Sequence, residues 1–430
     1  MNTYWTPNLT VAAAAAMLSG VPGWRSVTGM KYNNAKETSM HQDTWTPLMG
    51  PRLAPDEHLT FTTAGDSQSA FVAWFARGLR VALERQGHTF LAPDTPPVEG
   101  EPESPPARLV LNLCDIDRPR PIHRRGQGTF VVTIVEGEDN RRDVMKAAYP
   151  LIVRSLANMV IYNTRVNGVL ESHFVTIEQG HYTIRLDSDE ETFFDHIYRR
   201  IQPLACSHLV INNQFTPDLP DYLWEGDEAT RQISWAGKQL DGMGLLPAAI
   251  PIQEYLSERE LRHVKRLYGI GGLSYGNLSA RALHDPRYFW MSASGVDKGR
   301  LHTIGRDILL VTGYEPQNLQ INLSVPPHVE PRRVSVDAIE HYMIYREHPQ
   351  VQAIIHIHAW WRDPIVSTEV NYPCGTYELA SEVAELVRQA PDPSRAVIGL
   401  KNHGLTITGH SIAEIFQRID GMIVPQVPMS

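Results

Sequence analysis

The sequence predicts an α/β protein of two domains, on three observations. At 430 residues the chain exceeds what one ordinary hydrophobic core supports. In its first half, runs of β-branched residues alternate with segments of helical apolar period. Pro217 and Pro220, with the acids around them, then punctuate the chain. The division falls near residue 225, giving an N-terminal α/β domain over 1–225 and a second domain over 226–430. A hydrophobic share of 42% and a charged share of 20% describe a globular chain.

The elements follow in order. Residues 11–18, rich in alanine, read as a helix, because no Lys or Arg precedes them as a signal peptide would require. Residues 67–83 carry a helical apolar period, with Asp66 or Ser67 as the cap. The Pro- and Glu-rich stretch 92–107 is a solvated loop. Residues 108–114 and 129–135 are buried strands, and 142–165 is a long helix. Residues 173–177 and 181–186 flank Glu178-Gln-Gly180 as a hairpin. Helix 190–204 precedes a strand at 209–212. Helices follow at 227–244 and 257–268, separated by Pro247 and Pro251, and the second leads into a glycine-rich turn at 269–277. Residues 335–345 open a helix, with Ser335 or Asp337 as its cap.

The chemistry concentrates in the second domain. His356 and His358 lie in the apolar run Ala353-Ile-Ile-His-Ile-His-Ala359, and a strand places residues at i and i+2 on one face. A third imidazole, His403, arrives in the separate segment Lys401-Asn-His-Gly404. Three neutral imidazoles with an open fourth position make a catalytic divalent-metal site. An HxH pair among 18 histidines is also compatible with buried, hydrogen-bonded side chains. The wider pattern favours the metal. GNLSAR at 276–281, SASG at 292–295, Asp337, HIH at 356–358 and KNHG at 401–404 occur in one order.

That order and spacing resemble the class II aldolase/adducin family over about residues 255–425, whereas the N-terminal half resembles no family. The resemblance implies an α/β/α domain with a mostly antiparallel sheet. It implies a divalent metal on His356, His358 and His403, most often Zn2+, with Fe2+, Mn2+ or Co2+ in relatives. It implies that Asn277, Ser294, Gly295 and Ser335 contact substrate, including a phosphate where one is present. Glycine-rich backbone suits the close approach of an anion. Asp337 stands where the family's aldolases carry a glutamate, as catalytic acid/base or metal neighbour. Glu340, one turn on, reads as surface or a capping-box partner.

Other features depart from the sugar-phosphate aldolases. Val336 replaces a second serine, the loop between His358 and Gly375 is shorter, and no tyrosine-bearing C-terminal segment follows. Tyr372, Tyr377 and His410 are the candidate proton donors in its place. Trp360 and Trp361 suit core packing or the wall of an apolar pocket. Lys298 and Arg281 either supply positive charge or are solvated.

The expected activity is a metal-dependent lyase of the aldolase type, stabilising an enediolate as a C–C bond of a hydroxy-carbonyl substrate breaks. Epimerase, dehydratase, decarboxylase and iron-dependent oxidative decarboxylase chemistry occur on the same resemblance. A non-catalytic adducin-like module is disfavoured by retention of all three histidines. A net charge of −9 argues against a nucleic-acid partner, and no apolar run reaches membrane-spanning length. Cys114, Cys206 and Cys374 form no CxxC, as expected of buried residues in a cytoplasmic enzyme. The basic run 118–125 reads as a solvated loop. The expected partners are a small-molecule substrate and further copies of the chain in a homo-oligomer.

Overall fold

A computed structural model describes residues 58–92, 107–123, 129–176, 180–246, 252–268 and 275–429. The alanine-rich segment 11–18, most of the 92–107 loop, the tip of the 173–186 hairpin and residues 269–274 lie outside them. Contacts divide the chain into Met1–Arg52 and Leu53–Ser430, and both large sheets belong to the second unit.

The first sheet gathers seven strands. In chain order the elements are β1 (Thr60–Gly65), α1 (Ala70–Arg85), β2 (Thr89–Phe90), β3 (Leu109–Leu113), β4 (Phe130–Glu136) and α2 (Val144–Ser155). β5 (Met159–Val166), β6 (Val169–Thr176), β7 (Gly180–Arg185) and α3 (Glu190–Cys206) follow. The sheet order is β2-β1-β3-β4-β5-β6-β7. Pairings from β2 to β5 are parallel and those of β6 are antiparallel. Alternate residues face opposite sides, as the two-residue strand period requires. Val132 and Ile134 join the cluster under α1 and α3, whereas Val131 and Val135 join the cluster under α2.

The expected helix over 142–165 stops at Ser155. Leu156 adopts a left-handed conformation, φ 55°, and Met159–Val166 is β5. Val160, Ile161 and Thr164 are β-branched and pack against neighbours on both faces, which a strand accommodates better than a helix.

The second sheet begins earlier than residue 225. β8 (Asn212–Thr216) pairs with it, and the expected strand at 209–212 is displaced towards the C-terminus. α4 (Glu228–Gly242), α5 (Ile252–Tyr255), α6 (Glu258–Tyr268), β9 (Asn277–Arg281), β10 (Phe289–Ser292), β11 (Ile308–Glu315) and β12 (Gln320–Ser324) come next. The remaining elements are α7 (Ala338–Glu347), β13 (Ala353–Ile357), β14 (Trp360–Trp361), α8 (Tyr377–Gln389), β15 (Val397–Leu400), β16 (Gly404–Gly409), α9 (Ile412–Ile419) and β17 (Ile423–Val424). The order is β15-β16-β13-β9-β10-β11-β12-β8. The β12–β8 pairing is parallel and the other described pairings of this sheet are antiparallel. Taken together the sheets are mixed.

Contacts among the described residues join the halves. α5 and α6 pack on α2, where Ile252, Leu256 and Val264 enter its cluster and Arg154 Nε meets Glu260 Oε1 at 2.6 Å. The link after α3 is hydrogen-bonded to the start of α8. His208 N and Nδ1 lie 2.8 and 2.7 Å from the two oxygens of Glu378. Val210 N donates to Gly375 O at 2.8 Å, and Tyr377 N donates to His208 O at 2.9 Å.

Candidate metal centre

β13 lies between β9 and β16, and all five of its residues are buried. Ile354, Ile355 and Ile357 make it a strand. His356 then faces Asn277 on one neighbour and Thr406 on the other. Two glycines permit the close approach. A Cβ on Gly276, φ 69°, would lie 2.3 Å from His356 O, and one on Gly404 would lie 2.2 Å from Ile357 O.

His403 sits in the tight turn between β15 and β16. Its N–H donates to Leu400 O at 3.0 Å, and Asn402 beside it adopts φ 57°, which asparagine tolerates better than most residues. The turn therefore carries the third imidazole over the first two. Ring centroids are 5.1 Å apart for His356–His358 and 4.7 Å for each pair with His403. One nitrogen of each ring lies within 4.8 Å of the other two. His358 Nε2 and His403 Nε2 are 3.2 Å apart.

The electrostatics suit ligation. Burial lowers the pKa of His356, and pushes those of His358 and His403 well below the ordinary range, with the neighbouring imidazoles adding to it. Ligation requires such neutral rings. His356 Nδ1 is 3.0 Å from Leu405 O, so a proton there leaves Nε2 with its lone pair free, the usual arrangement behind a metal-bound histidine. His356 Nε2 is buried and has no hydrogen-bond partner, and the same holds for His358 Nδ1 and for Asp337 Oδ1. Leaving such atoms unsatisfied costs about 1–3 kcal/mol each. A divalent cation fits this donor set, because it removes that cost at His356 and balances a nearby carboxylate.

Asp337 is the N-terminal flanking residue of α7, but its side chain makes no capping bond. Its Oδ2 instead accepts from Asn277 Nδ2 at 2.7 Å, across 60 residues of sequence. Ser335 does not cap α7 either; its N–H donates to Ser292 O, which ties the turn to β10. Ser294 and Gly295 form the turn after β10, where Ser294 N donates to Arg333 O and Gly295 adopts φ 68°. Asn277 and Asp337 are thus brought together with the histidine strand, and Ser294, Gly295 and Ser335 line the adjoining turns.

Several side chains have roles the residue pattern does not reveal. Glu340 is buried rather than exposed, and its Oε1 accepts from Thr406 Oγ1 at 2.5 Å. Burial, then the charge of Asp337, pushes its carboxyl up to about 8. Lys298 is buried too. Burial brings its ammonium down to about 8 against the pull of Asp337 and Asp297, and its charge reaches His356 and His358. Arg281 is not a free cation: its guanidinium donates to the carbonyls of Val351, Pro286, Tyr345 and His348. His410 is exposed and bonded to Ser394 Oγ, away from the three imidazoles. Cys374 Sγ, half-buried, stands 3.2 Å from His403 Nε2. Tyr275 packs edge-on to His358 at 5.3 Å while also resting on the cluster under α2. Trp360 lines a cleft of about 390 Å³ with Lys401 and Asn402.

Comparison with known proteins finds a match to part of the chain. Residues 261–362 match the family model of the Class II Aldolase and Adducin N-terminal domain, a span that includes His356 and His358 but ends before His403. No curated protein matches the chain. Among solved structures, an L-fuculose 1-phosphate aldolase from Glaciozyma antarctica is 17% identical, with 44% of this chain and 68% of that chain covered and a TM-score of 0.29. An aldolase II superfamily protein from Pseudomonas syringae is also 17% identical, with 47% and 72% covered and the same TM-score. Residues 261–362 therefore resemble the class II aldolase and adducin family, within a longer chain whose N-terminal half has no family match.

Proposed function

We propose that the chain is a metal-dependent lyase of the class II aldolase type, acting on a small hydroxy-carbonyl substrate. The observation that carries this reading is the convergence of three buried, neutral imidazoles beside Asp337, with His356 Nε2 and Asp337 Oδ1 both lacking partners. His356, His358 and His403 would hold the ion, zinc being favoured by an all-imidazole set. When bound there, it supplies Lewis acidity to the carbonyl and hydroxyl oxygens of the substrate.

The chain's own residues do the rest. Asn277 orients Asp337 through Oδ2, which leaves Oδ1 to take or return a proton at the reacting carbon or its hydroxyl. Lys298 brings a positive charge that favours anionic substrates and charge developing as a bond breaks. Ser294, Gly295 and Ser335 offer hydroxyl and backbone groups to the substrate's distal end, phosphorylated or not. Tyr275 and the Cys374 segment screen the imidazoles from water, and both are braced by the N-terminal half. A homo-oligomer belongs to the same proposal. Among the described residues no helix is long and apolar enough to cross a membrane.

Elemental analysis of protein purified without added metal tests the reading, together with retro-aldol assays. The wild type should carry about one zinc per chain, and His356→Ala should lose it. Asp337→Asn should keep the zinc but lose roughly 10²–10⁴-fold in turnover, the range of a general acid/base. Full metal and full activity in His356→Ala would sink the proposal.

A further inference from the structure

Cys374 lies where a metal donor could be offered and withdrawn. Its Sγ is 3.2 Å from His403 Nε2, and that nitrogen is 3.2 Å from His358 Nε2. Donor pairs around a tetrahedral zinc, with metal–nitrogen of ~2.0–2.1 Å and metal–sulfur of ~2.3 Å, stand roughly 3.3–3.6 Å apart. Both contacts already approach such an edge. A second observation points into the same space: His356 Nε2, on a residue 1% exposed, has no partner. The cluster within 4.8 Å comprises the three imidazoles without Cys374, so Sγ must swing inwards to close a fourth corner.

The segment that carries it is built rather than loose. Thr376 Oγ1 donates to Pro373 O at 2.8 Å, just before the cysteine. Gly375 O accepts from Val210 N and Tyr377 N donates to His208 O, just after it. Glu378 is gripped by His208 through both oxygens. The backbone on either side of Cys374 is thereby fixed.

We propose that the Cys374 thiolate is the fourth, displaceable protein ligand of the metal in the substrate-free protein. The inference rests on the three-histidine metal site proposed above. With a metal bound, the thiol would ligate as the thiolate and release its proton to solvent. A hydroxy-carbonyl or hydroxy-acid substrate would displace the sulfur, which would take a proton back. Such a ligand makes the resting site more selective for soft, thiophilic ions such as zinc and cobalt over manganese and magnesium. It also keeps water from a reactive position until substrate arrives.

Cobalt(II) loaded into the full chain provides the test, because a thiolate ligand produces a near-ultraviolet sulfur-to-cobalt charge-transfer band that imidazoles and water do not. The wild type should show the band at one cobalt per chain. Cys374→Ala and Cys374→Ser should bind the same one cobalt and lack it. Titrating the wild type with glycolate should bleach it. Stoichiometric cobalt without the band, or a band that survives in both variants, overturns the role of Cys374 and leaves the histidine site standing. A band that glycolate leaves unchanged overturns the displacement. Failure of the wild type to bind cobalt or zinc at all overturns both this inference and the metal site beneath it.

Discussion

Glu340 is a carboxyl held where its charge is unwelcome, packed beneath Asp337 and bonded to Thr406. Its folded-state value, raised from 4.5 to about 8, means that the folded chain keeps a proton the unfolded chain has lost between those values. Stability should therefore fall as pH rises from about 4.5 to 8, and the loss is complete above that window. Glu340→Gln keeps an acceptor for Thr406 Oγ1 but removes the titration. Urea midpoints across that range should show the variant gaining on the wild type as pH rises; parallel curves would exclude this account. The residue pattern gave little warning of it. An acid one turn inside a helix matches a surface or capping residue, and only the approach of β16 to α7 buries it.

At the level of elements, β13 owes its close packing to its neighbours' glycines. An alanine at Gly276 would need both a left-handed backbone and a Cβ 2.3 Å from His356 O. Gly276→Ala should cost about 2–4 kcal/mol, combining backbone strain with local overpacking. It should also weaken zinc binding, because the strand would shift at a ligand. Chemical denaturation and competition with a chromogenic chelator measure the two effects; a variant unchanged in both would show that β9 can retreat without cost. His358 falls in the bend just after β13 ends at Ile357, whereas the strand of His356 was legible in its apolar run. The helix expected over 142–165 was not, because charged residues at its start and apolar residues at its end fit a helical period. The β-branched run from Val160 is instead fixed by pairing with β4 and β6. The Cys374–His403 contact left no local signal either, since the two residues meet only when the turn before β16 folds over the segment before α8.

For the whole molecule, the N-terminal half meets the candidate metal centre at Tyr275 and through the His208–Glu378 clamp, among other described contacts. His208→Ala would leave the buried Glu378 carboxylate with little beyond one backbone N–H, at a cost of about 1–3 kcal/mol. Amide exchange should quicken over 371–378 while β4 and β13 keep their protection; uniform protection would show that the clamp is dispensable. The prolines near 217 fall just after the passage between the two sheets, because β8 already pairs with β12. The same clamp sets an order of events in time. His356 and His403 are brought together by the antiparallel pairing of β13 with β16. His208 and Glu378 are 170 residues apart, and closing so long a loop is slower. A refolding chain would thus assemble its imidazoles first and seat the cysteine segment last. The site would pass through an early, open form before its mature one, and the N-terminal half would set the interval between them.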